Sequence, residues 1–185
     1  MPLGPLLPLL AAGLAGQPHG CPALSTIELS DAAPAWHAQG GASWRRDGRE
    51  AVVADAGDRV YDASLVTPPF AVPAARSELA FDHRLDLSWA STAAVLEISI
   101  DGAPWRDVVA AGGEFATGGY GHASYRSNPL GERAAWGGQD ATLATRVVLP
   151  RAAQGHAARL RFRLGSGGTG DARAGWRVGP VRCLW

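Results

Sequence analysis

Lysine is absent from this 185-residue chain: all 17 basic residues are arginine, and 17 acidic residues balance them. No whole-chain field therefore draws the protein to nucleic acid or to an anionic membrane surface. The arginine bias itself is most simply a trace of GC-rich coding. Charged residues make up only 18% against 46% hydrophobic, which argues against a disordered chain and against long solvated helices. The sequence holds no HExxH, no GxSxG and no Gly-rich phosphate loop, so the common routes to metal-assisted hydrolysis, acyl transfer and phosphoryl transfer lack their apparatus. Its two cysteines, Cys21 and Cys183, stand too far apart to form a zinc-type pair, and His19, His37, His83, His122 and His156 are scattered without metal-ligand spacing. The apolar run from Met1 to Gly16 is too short for a membrane span. It ends in small residues and resembles a signal-peptide core with a cleavage region near Ala15, although no arginine precedes it and three prolines interrupt it. Residues 1–20 are read as a leader and 21–185 as one domain, expected to be secreted or at the cell surface.

What the chain does have is glycine, 24 residues, and proline, 13 residues, a composition of short apolar strands joined by many turns. A chain of this length buries roughly 70% of its unfolded surface, enough for one core. From Glu78 to Trp89, Leu79, Phe81, His83, Leu85 and Leu87 alternate with Ala80, Asp82, Arg84, Asp86 and Ser88, the period of a strand. Leu96, Ile98 and Ile100 alternate with Glu97 and Ser99, and Asp101-Gly102 then supplies a hairpin turn before Trp105 to Val109. Leu160, Phe162 and Leu164 alternate with Arg159, Arg161 and Arg163, a strand with one wet face. Thr145 to Leu149 and Gly175 to Trp185 are further strand candidates, and no comparable stretch shows a 3.6-residue repeat. The expectation is an all-β fold, two antiparallel sheets packed as a sandwich. Residues 110–140 form a Gly- and aromatic-rich connection without sustained period, long enough to be functional or to fold back over a sheet. Cys21 and Cys183, near the two ends of the predicted domain, suggest a terminal disulfide, which in the chain-entropy model stabilises by up to about 5 kcal/mol.

The order LAFDHRLDL, VLEISIDGAPW, AAGGEFATGGYG, NPLGERAAWGG, RLRFRLGS and then GW in the last strand resembles a family of secreted bacterial jelly-roll domains. These are related to MAM-type modules and accompany metallopeptidases of the immune inhibitor A and fungalysin types. TIELSDAAPAW and YDASLVTPPF are similar to the family's opening strands. The resemblance covers most of 21–185 and implies a jelly roll with a non-catalytic accessory role, acting on a protein or glycan outside the cell. Many relatives end in a strand like GWYVDDV, whose acidic residues help hold calcium where it is present. Here the stretch reads GWRVGPV, so Gly179 and Pro180 remove side-chain oxygens that a hard cation needs. Glu28 and Asp62 are the acidic positions that best match the family's ion-binding end, and with Gly179-Pro180 beside them calcium is expected to bind weakly or not at all; no other cofactor is expected.

Four groups of residues remain to be weighed. His83 lies in phase with an apolar strand face and is expected to be a satisfied core residue. Asp82 and Asp86, about 13 Å apart on one strand face, are too distant for a glycosidase pair and read as its solvated side. The Arg159, Arg161, Arg163 row suits an acidic ligand, or is neutralised by Asp82, Asp86 or Glu97 on a neighbouring strand. Tyr120, Tyr125, Asn128, Arg133 and Trp136 in the long connection are the candidate ligand-facing group, because flat rings stack on sugars while amides and guanidinium groups orient hydroxyls. The same aromatics also suit packing against a sheet.

Overall fold

The computed structural model describes residues 44–89 and 91–185, together with the backbone of Trp36–Gln39. Cys21 and Glu28 lie outside the described residues, and so do residues 1–20, expected to be a leader. Among the described residues, fifteen strands, numbered in chain order, form two antiparallel sheets and one separate hairpin. Sheet A runs β1 (Trp36–Gln39), β4 (Val60–Val66), β13 (Ala157–Gly167), β7 (Thr92–Ile100) and β8 (Arg106–Asp107), with β5 (Phe70–Ala71) also against β13. Sheet B runs β2 (Arg45–Asp47), β3 (Glu50–Asp55), β14 (Arg173–Val178), β6 (Glu78–Asp86), β12 (Ala141–Val148) and β9 (Glu114–Thr117), with β15 (Arg182–Cys183) also against β6. The two sheets pack face to face as an all-β sandwich. Among the described residues there is no α-helix, and no helix long and apolar enough to cross a membrane.

The alternation read from the sequence decides which side chains meet. Leu160, Phe162 and Leu164 of β13 face Leu79, Phe81 and Leu85 of β6 across the core, and all six are fully buried. A layer of rings fills the middle: Phe81 meets Phe162 edge-on at 5.2 Å, Trp44 lies 5.5 Å from Trp176, and Trp136 lies 5.9 Å from Trp176. Aromatic pairs at these separations add stability beyond their area.

His83 is buried within this layer. The Trp176 indole N–H donates to its Nδ1 (3.0 Å), so Nε2 carries the proton and donates to Thr145 Oγ1 (2.9 Å). Burial pushes its pKa down to about 4, against a weaker upward pull from Asp82, so at neutral pH the ring is an uncharged connector between sheet B strands.

The last strand is broken where its sequence departs from a continuous run. Pro180 has no N–H to give a ladder, and the chain stops being strand after Val178 and resumes at Arg182. Gly179 keeps one bond, its N–H to Asp82 O (2.8 Å), and a Cβ there would stand 3.0 Å from that same oxygen.

Residues 110–140 contain three short strands. After β9 pairs with β12 at the edge of sheet B, the chain crosses to sheet A and forms the hairpin of β10 (His122–Ser124) and β11 (Arg133–Ala135). Trp136 then pairs with Ala94 of β7 through two backbone bonds of 2.8 and 2.9 Å. Strands of three or four residues are too short to show a readable period, which is why the segment reads as a loop.

Candidate functional site

The β10–β11 hairpin lies over the outer face of sheet A, where Leu130 and Ala135 cover Ala93 and Val95 of β7. Polar anchors hold it there. Asn128, buried, donates from Nδ2 to Ser91 O (2.8 Å) and Gly165 O (2.7 Å), while its Oδ1 accepts from Leu130 N (2.9 Å). The Tyr120 hydroxyl accepts from Leu96 N (3.0 Å) and donates to Asp107 Oδ2 (2.8 Å). Burial, and then the Asp107 carboxylate, push its pKa up, so this phenol stays protonated. Arg133 pairs with Glu97 (3.0 Å) and with Asp107.

The same carboxylate neutralises the arginine row. Glu97, with only 4% of its side chain exposed, also binds Arg161 and Arg163, and Asp62 takes Arg163 through both oxygens (2.8 and 2.6 Å). Arg159 and Arg161 lie over the Trp105 ring, 5.7 and 4.8 Å from its centroid, within cation–π range. Of the three carboxylates proposed for the row, Glu97 does this and Asp82 and Asp86 do not: Asp82 pairs with Arg182 (3.2 Å), and Asp86 accepts from Ala174 N (3.1 Å).

The predicted ligand-facing group is therefore divided by the fold. Trp136 is 1% exposed and packs against Phe81, His83, Phe115, Tyr120 and Trp176. It is a core residue and not a platform, because the bridge to Ala94 turns its ring between the sheets. Asn128 is likewise buried and not ligand-facing, for a different reason: its amide is consumed by three main-chain bonds. Tyr120 and Arg133 are half-buried wall residues with their polar atoms engaged. Tyr125 alone of the five is widely exposed, at 55%.

Two clefts flank the hairpin. The first, about 520 Å³, is lined by Glu97, Trp105, Asp107, Val109, Tyr120 and Arg133 among others. The second, about 250 Å³, lies between Trp89 and the hairpin and is lined by Trp89, His122, Ser124, Tyr125, Glu132 and Gly137-Gly138 among others. Trp89 is 63% exposed and stands perpendicular to the His122 ring at 4.8 Å. Gly138 has φ +98, and a Cβ on it would sit 3.3 Å from His122 Nε2 and 3.4 Å from the Trp89 ring, so only glycine leaves the ring pair in place. Among the described residues, the Tyr125 hydroxyl, the Glu132 carboxylate and the His122 ring nitrogens make no hydrogen bond.

The turn carrying Trp89 is fixed from beneath. Asp55, 1% exposed, accepts from Ser88 N (2.7 Å), Thr92 Oγ1 (3.0 Å), Tyr61 Oη (2.8 Å) and Gly57 N (2.9 Å). Asn128 holds Ser91 O from the other side. Sequence reasoning missed Trp89, His122 and Asp55. Trp89 sits just past an alternating strand and reads as its last residue, and nothing local marks Asp55 as buried.

At the positions matched to an ion-binding end, Asp62 is occupied by Arg163 and Gly179-Pro180 carry no side-chain oxygen. These residues do not fit a hard cation, which takes six or more oxygens. Among the described residues, no three His, Cys, Asp or Glu side chains gather to hold a metal. Comparison with models of known protein families and with curated proteins gave no match.

Proposed function

We propose that the chain is a non-catalytic accessory module of a secreted or cell-surface protein, associated with an extracellular hydrolase or peptidase, and that it binds a glycan in the Trp89–Tyr125 cleft. The observation that carries this reading is the pairing, in one concavity, of two widely exposed aromatic rings with polar groups that have no hydrogen-bond partner among the described residues. Rings of this kind stack on the apolar faces of sugars, and a carboxylate, an imidazole and a phenol beside them orient hydroxyls. Preorganisation supports the same reading: the Asp55 and Asn128 anchors fix Ser88 and Ser91 on either side of Trp89 through internal bonds, so little ordering cost is left for binding. The jelly-roll resemblance and the terminal cysteines fit an extracellular setting, where a Cys21–Cys183 bridge would form; free-thiol titration of denatured, unreduced protein should then find no reactive thiol.

A glycan-array screen, followed by titration of the best ligand against Trp89→Ala and Tyr125→Ala, tests the reading. Both variants should fold normally and lose about tenfold or more in affinity. Wild-type protein that binds no glycan on the array, or variants that bind as wild type, would overturn it.

A further inference from the structure

The cleft on the other side of the hairpin has a different chemistry. Trp105, Val109, Ala110, Tyr120 and Ala134 give it apolar walls, and Val109 is half exposed within it. Its surroundings carry an excess of positive charge. Among the described residues, Arg106, Arg133, Arg159, Arg161 and Arg163 are matched by the carboxylates of Asp62, Glu97 and Asp107, five charges against three, a surplus of two. The surplus belongs to Arg106 and Arg159, whose hydrogen bonds run to main-chain oxygens, Ala110 O (2.5 Å) and Thr67 O (3.4 Å). Arg106 lines the cleft itself and is exposed. At about 520 Å³ the space falls in the range of small-ligand sites.

We propose that this cleft binds an apolar group bearing a carboxylate, the apolar body lying between Trp105, Val109 and Tyr120 and the anion facing Arg106. A guanidinium free of a carboxylate partner presents its planar fork to an incoming one. Arg159, over the Trp105 ring, adds to the attractive field. Glu97 and Asp107 do not repel the ligand, because Arg133, Arg161 and Arg163 already neutralise them. The required chemistry is that of a small free aromatic acid or of the C-terminal residue of a peptide. The site is separate from the proposed glycan cleft and does not depend on it.

Ligand-observed NMR titrations of the whole chain test this with N-acetyl-tryptophan, its neutral carboxamide, and the peptide Gly-Gly-Ser-Trp with a free C-terminus. The acid should bind about tenfold or more tightly than the carboxamide, and weaken as salt is raised. Arg106→Gln should remove that preference, and Val109→Asp, which places a carboxylate on the wall, should expel the acid. Both positions are exposed, and thermal melting confirms that each variant is folded. Trp89→Ala should bind the acid as wild type does. A peptide markedly tighter than the single acetylated residue assigns the site to chain ends; equal affinities assign it to small acids. No binding by either acid, equal binding of acid and carboxamide, or an Arg106→Gln protein that keeps the preference would overturn the proposal.

Discussion

The two clefts beside the β10–β11 hairpin share the 110–140 connection as one wall, yet their chemistry diverges. On the Tyr120–Arg133 side, the polar atoms that reach across the sheet find internal partners: Tyr120 on Asp107, Arg133 on Glu97 and Asp107, Arg161 on Glu97. On the Tyr125–His122 side, the Tyr125 hydroxyl, the Glu132 carboxylate and the His122 ring nitrogens have none among the described residues. The first side holds the segment to the sandwich, and the second leaves groups presented outward. A buried polar group without a partner costs stability, whereas an exposed one keeps its water until a ligand replaces it. The difference in burial therefore separates residues that build the fold from residues available for recognition, although all are polar or aromatic and close in sequence.

The sharpest way to break the comparison is to truncate one tryptophan on each side of the divide. Trp136→Ala should cost about 3–5 kcal/mol in urea unfolding, since it empties the middle of the ring layer. An unfolding free energy close to wild type would show that Trp136 does not anchor the core.

Acid should act next most strongly, through His83. Its pKa is pushed from 6.5 to about 4 by burial, so the unfolded chain takes up a proton before the folded one does. The stability it supports is complete above pH 6.5 and declines as pH falls toward 4, by about 3 kcal/mol across that window. Melting temperatures measured between pH 7.5 and 4.5 check the sign, and a His83→Leu protein should lose this part of the slope.

Glu97→Gln should cost about 2–3 kcal/mol, because three guanidinium groups lose their shared buried carboxylate. That is below the usual cost of breaking a buried pair, since the arginines keep partial access to water. Denaturant curves against Asp82→Asn, a change at an exposed pair with little expected effect, measure the contrast. The smallest stability effect belongs to the open cleft: Trp89→Ala and Tyr125→Ala should each stay within about 0.5 kcal/mol of wild type, so any loss of glycan affinity in them reports recognition and not folding.

The strands were legible wherever alternation ran for five or more residues. Leu79 to Leu87 and Leu160 to Leu164 point to the core as their period requires, and His83 joins them because it occupies an inward position. The arginine row was legible as a face and Glu97 as one of three candidate partners, but not which of the three it would be, nor that Asp62 would join it: these residues lie 64 and 101 positions from Arg161 and Arg163, and pairing register, which local pattern does not encode, chose them. The five aromatic and polar residues of the connection were legible as a group, and their separate fates were not.

Composition and period alone thus established the β class, the inward and outward faces and the balance of charge, because a two-residue repeat assigns each side chain to a face without reference to any distant residue. Only the tertiary structure decided that Trp136 is core while Tyr125 and Trp89 are surface, and that Asp55, remote in sequence, holds the turn on which Trp89 stands. Those outcomes depend on which strand edges meet and how far a short hairpin is drawn over them, and that is set by contacts between segments rather than within any one of them.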